Sequence, residues 1–160
     1  MTTDFSWIRN ATNSHSRACG KSKIMKGDIL VEAIMRWFTA WAALKPKIHF
    51  SEESIYFKER QIWWASIGQN IGSEQNGKHG NFERPVVILK KFNGQMFLGV
   101  PVSTKIKEGP YRLSFTNDKG RFSANLSQMR VMSSKRLLRL VGSMPTLEYE
   151  RMLQAYRRML

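Results

Sequence analysis

The side chains of this 160-residue chain that could do chemistry are arginines, lysines and hydroxyls rather than metal ligands. Its three histidines, His15, His49 and His79, are far apart and match no zinc-binding spacing. The acidic residues are too scattered for a two-metal site, and the sequence contains neither a phosphate-binding Walker loop nor a Gly-x-Ser-x-Gly nucleophile elbow. We therefore expect no metal and no other cofactor.

The charge of the chain indicates a polyanionic partner. Lys and Arg number 26 against 12 Asp and Glu, a formal net charge of +14, and such an excess favours contact with phosphate backbones. A basic surface without a specific partner is the alternative. If the partner is RNA, its own 2′-hydroxyl can attack the adjacent phosphorus. The protein then has to hold the backbone in line and stabilise charge on the phosphoryl oxygens, which suits a fixed arginine.

The elements that position such side chains form one β-rich domain, because 160 residues are too few for two ordinary cores. Residues 1–27 are polar without an apolar period, and we predict a flexible tail there. They contain no secretory apolar stretch, and a single cysteine, Cys19, cannot form a disulfide framework. We therefore expect a cytoplasmic protein, with a helical extension over residues 28–56 and the main domain over residues 57–160.

Residues 28–45 are predicted to form a helix that is apolar on most of its circumference. Asp28 is expected to cap the helix, and Lys45-Pro46 to end it, because proline disfavours the helical conformation in the residue before it. The apolar run of about 16 residues is shorter than the roughly 20 that a bilayer needs, which argues against a membrane span. Three roles remain open for this helix: packing on the domain, lying in a dimer interface, or docking a partner.

From Phe57 onward the pattern predicts six or seven short strands and a closing helix. Asn93-Gly94 predicts a tight hairpin turn with positive φ at both residues. Closely spaced strands of this kind are typical of a small barrel or sandwich. The predicted strands cover residues 61–68, 85–91, 95–103, 111–115, 121–126, 128–132 and 137–141, and the helix covers residues 145–160 with an amphipathic face.

Three blocks of the main domain occur in a recognisable order. The first comprises residues 61–64 (QIWW), 72–75 (GSEQ) and 84–89 (RPVVIL); residues 100–107 (VPVSTKIK) and 126–130 (LSQMR) follow. Together they resemble the MazF/PemK (Kid) family, the mRNA-cleaving toxins of type II toxin–antitoxin systems. The resemblance covers residues 57–160.

The resemblance implies a β-rich α+β fold, a small SH3-like or CcdB-like barrel with a C-terminal helix, to which this chain adds an N-terminal helix. It implies a homodimer that cleaves single-stranded mRNA to a 2′,3′-cyclic phosphate without metal and that a cognate antitoxin neutralises. The N-terminal helix and the segment 77–83, inserted before Arg84, depart from the family's pattern.

The resemblance also implies a site. Arg84 matches the family's catalytic arginine, and Ser103 falls at its catalytic hydroxyl, although the swapped order Ser103-Thr104 makes Thr104 an alternative. The proton acceptor stays open among Glu74, His79 and Glu83. Gln128 and Arg130 fit either the substrate groove or the outer face of a strand. The candidate RNA-binding residues are Ser73, Glu74, Gln75, Lys78, His79, Lys105, Lys107, Gln128 and Arg130.

Two further functions fit the same fold. The first is a toxin that acts by binding a protein target such as DNA gyrase, without catalysis. The second is a basic barrel that binds nucleic acid and does not cut it. Unchanged toxicity of Arg84→Ala and Ser103→Ala variants would favour the first. The second predicts salt-dependent RNA binding and no cleavage under any condition.

Overall fold

This computed structural model describes residues 20–53 and 55–159, with side chains from residue 28 on. Seven antiparallel strands and two α-helices are present in these residues. One helix precedes the strands in the chain and one follows them, which confirms the predicted β-rich α+β class. In chain order the elements are α1 Gly20–His49, β1 Gln61–Ser66, β2 Glu83–Lys91, β3 Met96–Ser103, β4 Arg112–Asn117, β5 Gly120–Asn125, β6 Arg130–Ser133, β7 Leu137–Ser143 and α2 Thr146–Arg157.

The sheet branches at β3. Its strands hydrogen-bond in the order β4-β5-β3-β2-β1-β7, and β6 also pairs with β3. The first half of β3, from Met96 to Gly99, lies along β6, whereas its last two residues, Val102 and Ser103, lie along β5. A strand that exchanges neighbours in this way turns the corner between two parts of a small, closely packed sheet. The end of β3 is therefore a meeting point of several strands.

Strand β2 is buried on both faces, and alternate residues enter two apolar clusters. Val87 and Leu89 belong to the cluster that α2 covers, and Val86 and Ile88 belong to the other cluster, with Phe57 and Phe97. This alternation is the period of two that a β-strand imposes. Because the interior begins directly after its first residues, β2 holds Arg84 at the edge of the core.

Helix α2 packs its predicted amphipathic face on the sheet. Tyr149 and Met152 are buried, and Leu153 and Tyr156 are half-buried against the same cluster. The hydroxyl of Tyr149 donates to the carbonyl of Leu89 at 2.7 Å. Burial, and then the nearby Glu59 carboxylate, raise the pKa of Tyr149 to about 12, so the hydroxyl remains a donor at neutral pH.

Helix α1 extends beyond both predicted ends. It begins at Gly20, so Asp28 lies inside the helix and does not cap it, and it continues through Pro46 to His49. Proline removes one backbone donor, but Phe50 N donates to the carbonyl of Pro46 at 2.9 Å, so helical hydrogen bonding resumes after it. Residues 1–19 of the predicted tail, including His15 and Cys19, lie outside the described residues. In the described part of the chain, no helix is long and apolar enough to cross a membrane.

The turn between β2 and β3 joins the two strands as predicted, but its form differs. Neither Asn93 nor Gly94 has a positive φ, so the predicted backbone conformation is wrong. The side chain of Asn93 accepts hydrogen bonds from the backbone N–H groups of Gln95 and Met96, both at 2.8 Å. This asparagine-centred turn reverses the chain by side-chain hydrogen bonding, which removes the need for left-handed residues.

We expect Tyr149→Phe to destabilise the fold, because it leaves the carbonyl of Leu89 without its hydroxyl donor. The free energy of unfolding should fall by about 1–2 kcal/mol, measured by urea denaturation. Tyr156→Phe on the same helix is the control, because no described side chain or backbone group is hydrogen-bonded to the Tyr156 hydroxyl. Equal losses in the two variants would contradict the role of the Tyr149 hydrogen bond.

Candidate functional site

A cationic cavity of about 300 Å³ lies where the β1–β2 loop meets the ends of β2, β3, β4 and β5. Five of its nine lining residues carry a positive charge, and none of the nine is a carboxylate. Such a concentration of one sign of charge in a cleft attracts anions. The lining residues are Ser73, Gln75, Lys78, Arg84, Ser103, Lys105, Lys107, Arg112 and Asn125.

The register of the β2–β3 hairpin brings Arg84 and Ser103 to one wall of the cavity. Val86 lies opposite Pro101 in this antiparallel ladder. Arg84 lies two residues before Val86 and Ser103 lies two residues after Pro101, so an extension of this register would set them opposite one another. Residues opposite one another in an antiparallel pair share a face of the sheet, so the arginine and the hydroxyl face the same cavity.

Strand pairing on the other side of β3 completes this wall. Ser103 lies opposite Ser123 of β5, and Asn125 of β5 lies opposite Arg112 of β4. The hydroxyl of Ser123 donates to the carbonyl of Lys107 at 3.1 Å and so holds the β3–β4 connection against the sheet. The lysines of this connection therefore stand beside the strand ends that carry the arginines.

Arg84 is a half-buried cation fixed by the loop in front of it. Its Nε and Nη2 donate to the carbonyl of Asn76 at 2.9 and 2.7 Å. A guanidinium has five N–H donors, so two are used here and three remain for a ligand. Burial, and then the charge of Arg112, lower the pKa of Arg84, although an arginine keeps its proton at any accessible pH. The result is a fixed positive charge with unused donors.

Of the two candidate hydroxyls, Ser103 lines the cavity and Thr104 does not. Thr104 follows the end of β3 and is exposed, as expected when neighbouring side chains point in opposite directions. The Ser103 hydroxyl oxygen accepts the backbone N–H of Lys105 at 3.1 Å. This bond occupies a lone pair and leaves the hydroxyl hydrogen available for donation.

The β1–β2 loop brings three of the predicted residues, Ser73, Gln75 and Lys78, to the cavity. Glu74 and His79 are exposed and do not line it; the Glu74 carboxylate accepts from the backbone N–H of Ile71. Inside the loop, the side-chain oxygen of Gln75 is buried and has no hydrogen-bond partner among the described residues. An unsatisfied acceptor of this kind is costly unless a ligand supplies a donor.

Gln128 and Arg130 support the loop instead of lining the cavity. Gln128 accepts the backbone N–H of Gln75 at 2.9 Å. Arg130 donates to the carbonyl of Gln75 at 3.2 Å and also to Ile67 and Asn70. Burial lowers the pKa of Arg130, consistent with a guanidinium enclosed by loop carbonyls. The two residues hold Gln75 in place, a role that neither sequence interpretation included.

Arg112 and Asn125 are cavity residues that the sequence analysis missed. Arg112 opens a strand, and Asn125 directly precedes the block at residues 126–130. The closeness of Asn125 to that block is the only signal in the sequence, and it carries no spatial information. Only the pairing of β4 with β5 brings the two residues together.

Glu83, a candidate proton acceptor, is engaged away from the cavity. Its two carboxylate oxygens accept from Arg139 at 2.9 and 2.7 Å, and its side chain is buried. These hydrogen bonds lower the pKa of Glu83. The carboxylate is therefore committed to a structural ion pair. In the part of the chain that the structure describes, no three His, Cys, Asp or Glu side chains are grouped to hold a metal ion.

Comparison with known proteins relates the main domain to one group. The family model of the PemK-like, MazF-like toxins of type II toxin–antitoxin systems matches residues 58–160. No curated protein sequence matches the chain.

Three solved structures have a similar fold. MazF from Deinococcus radiodurans is 18% identical with a TM-score of 0.54, over 66% of this chain and 97% of that chain. MazF in the MazE–MazF complex of the same organism is 15% identical with a TM-score of 0.50, over 66% of this chain and 96% of that chain. An endoribonuclease in complex with its cognate antitoxin, from a mycobacterial species, is 11% identical with a TM-score of 0.50, over 64% of this chain and 93% of that chain.

We expect Glu83→Gln to weaken the fold at neutral pH and not at acid pH. The folded-state pKa of Glu83 is lowered, so its ion pair stabilises the fold above the unfolded-state pKa and this stability is lost as the pH falls through the folded-state pKa. At pH 7 the variant should lose about 1–3 kcal/mol of unfolding free energy, because its partner is charged.

The measurement is urea denaturation of both proteins from pH 7 down to about pH 3, where the difference should close. Asp118→Asn removes a carboxylate from an exposed pair with Lys119 and is the control, with little change expected at any pH. A gap between the Glu83→Gln variant and the parent protein that is constant with pH would refute the ion-pair explanation.

Proposed function

Because the chain belongs to the PemK-like, MazF-like toxins of type II toxin–antitoxin systems, we propose that it is an endoribonuclease that cleaves single-stranded mRNA. The observation that carries the proposal is the presence of Arg84 and Ser103 in one cationic cavity. The cavity offers a fixed guanidinium, a hydroxyl and further cations, which suit a phosphodiester. All of its lining residues are polar or charged, so a small apolar substrate has no matching surface there.

The proposed reaction uses the nucleophile of the substrate. The 2′-hydroxyl oxygen of one ribose attacks the adjacent phosphorus, the P–O5′ bond breaks, and the products are a 2′,3′-cyclic phosphate and a 5′-hydroxyl. The 2′-hydroxyl proton passes to water or to a base on the exposed loop, and the leaving oxygen takes up a proton. No external nucleophile enters this step, so the protein contributes alignment and charge stabilisation.

Arg84 stabilises the negative charge that develops on the phosphoryl oxygens. Its two hydrogen bonds to Asn76 orient the guanidinium before substrate arrives, so little reorganisation is needed during the reaction. Ser103 donates its hydroxyl hydrogen to a phosphoryl oxygen while its oxygen remains bonded to the N–H of Lys105. Lys105, Lys107 and Arg112 bind flanking phosphates, a contact that positions RNA without reading its sequence.

We propose that the β1–β2 loop selects the base. The side-chain oxygen of Gln75, which is buried and has no partner in the described part of the chain, accepts a hydrogen bond from an N–H or O–H group of the substrate. Such a contact discriminates strongly, because a substrate without the donor leaves the acceptor unsatisfied.

The proposed partners are a cognate antitoxin and a second copy of the chain. Structures of similar fold include a MazE–MazF complex and an endoribonuclease bound to its cognate antitoxin, and the net charge of +14 suits an acidic inhibitor. An antitoxin that covers the cavity would block RNA directly. We propose that these encounters take place in the cytoplasm, where mRNA is present.

We expect Arg84→Ala to reduce RNA cleavage by about 100-fold or more, the usual effect of removing one charge donor from a transition state. The purified chain is incubated with single-stranded RNA in EDTA, and the fragments are examined for cyclic phosphate ends. Arg121→Ala is the charge-matched control, because Arg121 is exposed on β5 and does not line the cavity. If the parent protein leaves the RNA intact both with and without EDTA, the proposed ribonuclease function is wrong. Salt-dependent RNA binding without cleavage would indicate the non-cutting alternative.

We expect Ser103→Ala and Thr104→Ala to differ. Loss of the Ser103 hydroxyl should lower kcat by about 10- to 100-fold, because it removes a donor to the phosphoryl oxygens. Thr104→Ala should leave kcat within about twofold, since this side chain is exposed outside the cavity. Single-turnover cleavage of one RNA substrate measures both. A larger loss of kcat in Thr104→Ala than in Ser103→Ala would show that Thr104 supplies the hydroxyl used in cleavage.

A further inference from the structure

The β1–β2 loop is closed at its base by hydrogen bonds between its two ends. The backbone N–H groups of Ile67 and Gly68 both donate to the carbonyl of Phe82, at 2.9 and 3.2 Å. Gly77 N donates to the carbonyl of Gly68 at 2.8 Å, so the middle of the loop is also hydrogen-bonded to its base. Residues 68–82, called the site loop below, carry Ser73, Gln75 and Lys78 to the cavity.

Phe82 is an anchor of the site loop. It is 1% exposed and has a φ of +48°, a conformation that bulky residues rarely adopt. Its ring contacts two tryptophans of α1: the ring centroids are 5.4 Å from Trp37 and 5.5 Å from Trp41. This packing compensates for the strained backbone at the point where the chain enters β2.

Trp41 also packs against the first residue of the site loop. A Cβ atom placed on Gly68 would lie 2.4 Å from Cε2 of Trp41, so only a glycine permits this approach. Trp41 is 5% exposed, and its ring lies 5.4 Å from the guanidinium of Arg136. One side chain of α1 therefore packs against both ends of the site loop.

The position of the site loop determines the position of the reactive groups. Arg84 donates both of its hydrogen bonds to Asn76, a residue of this loop. Gln75, whose buried side-chain oxygen no described group contacts by a hydrogen bond, is a residue of the same loop. A shift of the site loop would therefore displace the guanidinium and the acceptor together. A displacement of about 1 Å in an active site can cost 100-fold in rate.

We propose that Trp41 is a positioning residue, and that Trp37 and Trp41 of α1 clamp the site loop in the conformation that selects and aligns RNA. The clamp rests on the proposed ribonuclease function for its effect on selectivity, although the packing itself does not. Helix α1 lies outside the matched segment, residues 58–160. The clamp thus gives this added helix a defined task at the site.

The direct test is hydrogen exchange of the full-length chain without RNA. In Trp41→Ala, the amides of Ile67, Gly68 and Gly77 should exchange about tenfold faster or more, whereas the amides of strand β2 should keep their protection. Phe50→Ala is the matched control, because Phe50 is a 77% exposed aromatic residue just beyond the same helix. Unchanged loop exchange in Trp41→Ala, or an equal rise throughout β2, overturns the clamp.

The second readout is cleavage selectivity. Trp41→Ala should lower kcat/KM at the preferred sequence about tenfold or more, and its cleavage-site map should spread to further sequences. Trp41→Phe, which keeps an aromatic ring against Phe82, should restore most of both properties. An unchanged map alongside a lower rate overturns the selectivity role, since mere loss of folded protein lowers all sites equally.

A third variant keeps the test decisive if Trp41→Ala does not fold. Trp37 is 47% exposed and contacts Phe82 from the edge, so Trp37→Ala removes one contact and leaves Trp41 in place. We expect a smaller but local rise in exchange at the site loop, and no rise there overturns the clamp. If the parent protein cuts no RNA, the proposed function fails, while the exchange measurements still decide whether the clamp exists.

Discussion

The hydrogen bonds from Arg84 to the carbonyl of Asn76 couple the sheet to the loop, and the site depends on this coupling. A half-buried guanidinium is costly unless its donors are satisfied, and here a loop carbonyl satisfies two of them. The loop can present this carbonyl only because it folds back closely on itself. A Cβ atom on Gly77 would lie 1.8 Å from the carbonyl oxygen of Phe82, so this approach requires a glycine.

The cavity concentrates positive charge at the expense of stability. Lys78, Arg84, Lys105, Lys107 and Arg112 line one space with no carboxylate among the nine lining residues. Their mutual repulsion disfavours the folded chain, and a bound phosphate would relieve it. The buried carboxylate of Glu83 lies outside the cavity lining, where it forms an ion pair with Arg139. An unsatisfied cationic site of this kind is typical of function taking precedence over stability.

Local patterns predicted most of the fold and only part of the site. The seven strands and α2 follow from apolar alternation and turn residues, which act over a few neighbouring residues. The predicted C-terminal end of α1 was wrong because backbone hydrogen bonding resumes after Pro46. The predicted form of the Asn93 turn was wrong because the Asn93 side chain accepts backbone hydrogen bonds there. Arg112 was missed because its place beside Arg84 depends on how β4 pairs with β5.

The sequence by itself determined the strands, the strong positive charge, and the family resemblance that singled out Arg84 and Ser103. Each of these follows from residue types and short spacings. The tertiary structure alone decided that Ser103 and not Thr104 lines the cavity, that Gln128 and Arg130 support the loop, and that Trp41 packs against it. Those facts join residues tens of positions apart, and strand register and side-chain packing, which no local pattern encodes, bring them together.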